Sequence, residues 1–84
     1  MTEKEFLEYA LIGVNHKIEE LDKDLRKGQR YIKEYYNGED ITDVQLKKLP
    51  IHTIEEICKK KRAEIEALEK DKNDIKWQLA ELEQ

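Results

Sequence analysis

The sequence predicts an all-α fold: an antiparallel two-helix coiled-coil hairpin with a short helix at its tip. Three observations predict it. Leu7, Leu11, Val14, Ile18, Leu21, Leu25, Gly28, Ile32 and Tyr35 are spaced alternately by four and three. Ile54, Cys58, Lys61, Ile65, Leu68, Lys72, Ile75, Leu79 and Leu82 repeat that spacing in the second half. Such a repeat puts its members on one stripe of a helix and makes the seam of a coiled coil. Between the two stretches, Asn37-Gly38 and Pro50 interrupt helix, which leaves two rods and a connector.

Residues 1–84 form a single helical-hairpin domain on this reading. Thr2 with Glu5 spells a capping box, in which a hydroxyl accepts from the amide three residues on. It starts the first helix, expected over about 3–36. Asn37-Gly38 ends it, since this pair best adopts the left-handed conformation beyond a helix. The connector, 37–52, is long for a structureless loop in a compact domain. A second box, Thr42 with Gln45, marks a short helix of about two turns within it, Thr42 to Leu49, with Val44, Leu46 and Leu49 turned partly inward. Pro50 lacks an amide hydrogen and disfavours helix at Leu49. The third box, Thr53 with Glu56, starts the second long helix, expected over about 54–83.

The helices run antiparallel because each covers about 45 Å at 1.5 Å per residue. The connector spans that distance only when fully extended, at about 3.3 Å per residue, with nothing left for a short helix. Pairing Leu7 with Leu79 or Leu82, and Ile32 with Ile54 or Cys58, keeps apolar layers facing one another. Gly28, Lys61 and Lys72 break the apolar rule of the seam. Glycine costs roughly 1 kcal/mol inside a helix, so Gly28 marks a close approach or a bend. The lysines lay their stems along the seam and send their charges to water.

Composition bounds the function. Charged residues make up 43% of the 84 and hydrophobic ones 38%, with a net charge of −4. That suits long helices with a narrow apolar stripe, and the sparse core points to assembly into a homo-oligomeric helical bundle. Cys58 is the single cysteine, so no internal disulfide forms; at a seam position it acts as a small hydrophobe, an interchain bridge being the alternative. No apolar run reaches the roughly 20 residues that span a bilayer, and Met1 to Glu5 lacks a basic leader. A cytoplasmic protein without membrane contact is expected.

Charge is divided lengthwise. Residues 1–22 carry six acids and two bases, and residues 63–84 carry seven acids and three bases, so the open end totals −8. Residues 23–62 carry eleven bases and seven acids, a balance of +4. Arg26, Lys27, Arg30, Lys33, Lys59, Lys60 and Arg62 are the candidates for contact with an anion or a nucleic acid at the tip, where Tyr31, Tyr35 and Tyr36 are interleaved. Interspersed acids dilute this field, and a solvated charged surface is the plainer reading. At the open end, Phe6, Tyr9, Ala10 and Ile12 are left over once the seam has taken Leu7, Leu11 and Val14. Trp77 and Ala80 are likewise off the seam. An uncovered apolar surface of this kind marks an association site, so these six residues are the candidate protein interface.

No catalytic constellation, metal site or cofactor motif stands out. The three glycines are isolated, serine is absent, and His52 lies six residues from Cys58, outside common zinc spacings. His16 falls on the outer face of the first helix. No activated nucleophile or acid/base pair can be named, so an enzyme is not expected. The expected function is that of a small coiled-coil interaction protein: an adaptor, inhibitor or regulator that self-associates and binds protein. The alternatives are a nucleic-acid-binding hairpin using the basic tip, and a binder of a small anionic ligand at a subunit interface.

Overall fold

The computed structural model describes residues 1–84 and contains two long helices, α1 (Glu3–Tyr36) and α2 (Ile51–Leu82). They pack against each other in opposite directions, with a single 3-10 turn, Leu46–Lys48, in the connector. The molecule is a rod of 56 × 18 × 16 Å. Its radius of gyration, 17.5 Å, exceeds the roughly 12 Å of a compact domain of this length. No helix is long and apolar enough to cross a membrane.

Local chemistry sets the ends of α1. Thr2 stays extended, and its Oγ1 accepts from the Glu5 amide at 3.1 Å. At the other end Gly38 takes φ +69°, which turns the chain back on itself. The Gly38 amide then donates to the Tyr35 carbonyl and the Glu39 amide to the Glu34 carbonyl, the paired bonds of a Schellman motif.

The other two capping boxes do not form. In the connector the carboxylate of Asp43, one residue after the expected Thr42, accepts from the amides of Gln45 and Leu46, each at 3.0 Å, while Gln45, the N-cap of the turn, caps nothing with its side chain. A carboxylate competes better than a hydroxyl for amide donors. The capped segment is a 3-10 turn of three residues, shorter than the expected two turns of helix. Leu46 turns partly inward, whereas Val44 and Leu49 are exposed. The α2 helix starts at Ile51, three residues before the expected position, with Pro50 as its extended N-cap. Proline loses nothing at a helix start, where amide hydrogens have no intrahelical partner, so Thr53 sits inside the first turn. The Thr53 amide donates to the Pro50 carbonyl.

One register runs the length of the rod. Lys4 meets Glu83 at 3.8 Å, Asp24 meets Lys61 at 3.5 Å, and Gly28 lies against Cys58. This sets Leu7 level with Leu79. The seam residues are buried or half-buried except at its ends, where Tyr35 and Leu82 are exposed. Each faces the first turn of the opposite helix, too short there to cover it. Gly28 allows the closest approach: a methyl group at this position would overlap Cys58 Sγ.

Burial is concentrated at the tip. Leu25, Tyr31, Ile54 and Cys58 form the core cluster, with Ile32, Ile41, Leu46, Ile51 and Ile65 packed around it. Ile54 and Cys58 are each 1% exposed. The connector makes this possible by folding back over α1. Tyr31 donates its hydroxyl to the Leu49 carbonyl at 3.1 Å, and Glu34 receives Thr42 twice, from its amide at 3.0 Å and its hydroxyl at 2.9 Å.

Candidate functional site

The open end carries the larger exposed apolar surface. Phe6, Tyr9 and Ile12 are each more than 60% exposed, and Trp77 is 71% exposed. Ala80 is exposed and Ala10 half-buried. Phe6, Tyr9 and Ala10 are three and four residues apart, so they share one side of α1. Ile12 is three past Tyr9 and extends that side, away from Ala10. Trp77 and Ala80 share one side of α2, where with Asn73 and Lys76 they line a shallow depression. No α1 residue borders it. The exposed apolar side chains are distributed around the rod, and burying all of them needs contacts on more than one side.

At the tip the basic candidates separate into paired and unpaired groups. Arg26 Nε lies 2.9 Å from Asp22, and Arg30 Nε lies 3.4 Å from Glu34. Lys27, Lys33, Lys59, Lys60 and Arg62 take part in no ion pair. Lys59 and Lys60 are adjacent on a helix and point about 100° apart. Acids are interspersed throughout: Tyr36 donates to Glu55 at 3.2 Å, and Asp24 holds Lys61. The seven candidate bases therefore do not converge on one groove.

The structure does bring together a set of residues that sequence reasoning missed. A cleft of about 290 Å³ opens between the two helices and the folded-back connector. Its apolar floor is Leu46, Ile54 and Ile57, and Asp24, Lys27, Asp43 and Lys61 stand around it. Gly28 and Gln45 complete the wall. A second cavity of about 240 Å³ adjoins it, lined by Lys27, Arg30, Glu34, Thr42 and Asp43. The signal that could have found this region is Glu34, a carboxylate one position from a seam residue and eight before a threonine. It is 6% exposed and holds the connector in place, where the sequence suggested only a diluting charge.

Cys58 lies beneath this region as a free, buried thiol. Burial pushes its pKa above the ordinary thiol value, and the charges of Arg62 and Lys61 offset that in part. A thiol so placed is a packing group and a poor nucleophile. No three His, Cys, Asp or Glu side chains are grouped so as to hold a metal ion.

No protein family, no curated protein and no solved structure matches the chain.

Proposed function

We propose that this chain is a small helical-hairpin interaction protein that self-associates and binds protein partners through its open end. The observation that supports this reading is the exposure of Phe6, Tyr9, Ile12 and Trp77 on a rod whose two helices have no further element to cover them. Large apolar side chains lose favourable free energy in water, at about 25 cal/mol per Å² left uncovered. Aromatic residues of this kind dominate interfaces once a partner buries them. Their distribution around the rod fits a hairpin surrounded by other helices, as in a bundle of several copies, better than one flat contact. Coiled-coil pairing of the seam and a cytoplasmic role as adaptor, inhibitor or regulator belong to the same proposal.

Sedimentation equilibrium over a range of micromolar concentrations tests it. The expected result is a mass that rises above the 10.1 kDa of one chain. Trp77 is the single tryptophan, so its emission shifts to the blue over the same range. Phe6→Ala and Trp77→Ala are expected to move the association to higher concentration. A protein that stays at 10.1 kDa throughout, with unchanged emission, would overturn self-association.

A further inference from the structure

The cleft at the tip is remote from the open end and has a different chemistry. Three of the four charged groups around it are already engaged. Lys61 and Asp24 face each other at 3.5 Å, and the Asp43 carboxylate accepts two amides of the connector. The fourth, Lys27, forms no ion pair and lines both the apolar cleft and the polar cavity beside it. Arg30 lines that second cavity, and its contact with Glu34 through Nε leaves other guanidinium donors free. A concave, mainly apolar surface with a few placed polar groups is the usual form of a small-molecule site, and this volume lies at the lower end of such sites. Asp43 keeps its negative charge, but its Oδ1 is turned to the connector amides, so Lys27 is the charged group free to meet a ligand.

We propose that the cleft under the connector binds a small amphipathic anion. One carboxylate or phosphate group is held by Lys27, with Arg30 beside it, and a short apolar body lies over Leu46, Ile54 and Ile57. The site is complete within one chain, because the connector supplies the wall that two bare helices lack. Glu34 is a positioning residue: by holding Thr42 it fixes the connector segment that carries Asp43, Gln45 and Leu46. Gly28 keeps the α1 wall bare and lets α2 approach closely enough for Ile54 to form the floor.

An amide-resolved NMR titration of the full chain tests this, with hexanoate, hexyl phosphate, hexylamine and inorganic phosphate as probes. The expected result is saturable shifts at Gly28, Leu46 and Ile57 with hexanoate or hexyl phosphate, and none with hexylamine or inorganic phosphate. Lys27→Met keeps an apolar stem and removes the charge; it is expected to weaken binding about tenfold or more. Lys17→Met, on the same helix but far from the cleft, is expected to leave the affinity unchanged. Circular dichroism of both variants checks that the helices persist. The proposal is overturned if neither anion gives saturable shifts at these amides, if hexylamine binds as well, or if the two lysine variants behave alike. None of these outcomes bears on the association of the open end, whose test is the mass in solution.

Discussion

The tip and the open end of this hairpin are built from the same two helices and the same seam spacing, yet only the tip gathers its buried side chains into a cluster. At the tip Leu25, Tyr31, Ile54 and Cys58 are buried together. Toward the open end Leu7 and Leu21 are buried on α1, while Ile65, Leu68, Ile75 and Leu79 on α2 are only partly buried. The difference is the connector. Two helices touch along a line and leave most of each cylinder in water; a third segment laid across them encloses the side chains between. Tertiary packing supplies most helical stability in proteins, so stability should be graded along the rod.

Paired substitutions test that gradient most strongly. Ile54→Ala is expected to cost about 2–5 kcal/mol, as a large-to-small change at a closed site does. Leu79→Ala, near the open end, is expected to cost less, about 1–2 kcal/mol, since the side chain is only partly buried. Urea denaturation followed by circular dichroism measures both, and equal losses would break the comparison. Gly28→Ala comes next. At an exposed helix position this change stabilises by about 1 kcal/mol. Here the new methyl overlaps Cys58 Sγ, so a loss of about 1–3 kcal/mol is expected. Adding Cys58→Ala removes the overlap and should recover part of the loss. A stabilised Gly28→Ala single variant would show that the helices are not in close contact there.

Glu34→Ala sharpens the role of the connector. It leaves the Thr42 amide and hydroxyl without their carboxylate, at a cost of about 1.5 kcal/mol, and amide exchange at Thr42 and Leu46 should quicken. Thr2→Ala is the matched change at the open end. It removes the cap on the Glu5 amide, with a loss of about 1 kcal/mol or less, because the end it closes is already exposed. The smallest effect expected is one of pH. The Cys58 thiol is raised by burial, so the unfolded chain ionises first. Stability is therefore whole below the ordinary thiol pKa of about 8.5 and declines as pH rises above it. The slope just above that pH should flatten in Cys58→Ala.

Much of the framework was legible because it rests on local rules. Gly38 turns the chain, Thr2 caps α1, and the four-three spacing marks the buried stripe. The features that were not legible depend on contacts between distant segments. Tyr35 occupies a seam position by spacing, but α2 has barely begun opposite it, so the buried tyrosine is Tyr31, which faces the connector. Thr42 had the residue type of a cap and was drawn instead to Glu34, which left the amides of the turn to Asp43. Ile41 packs on the core although no periodicity singles it out. The cleft was invisible for the same reason: three of its walls come from different segments, and only folding brings Lys27 beside Leu46. The exposed aromatics of the open end, by contrast, followed from simple subtraction of the seam.

The length of the rod has an electrical consequence. At physiological ionic strength a charge is screened over about 8 Å, and the long axis is 56 Å. The negative terminal region and the positive bend are therefore independent poles, neither feeling the field of the other. An event at one pole can inform the other only mechanically, through a shift or loosening of the helices that join them.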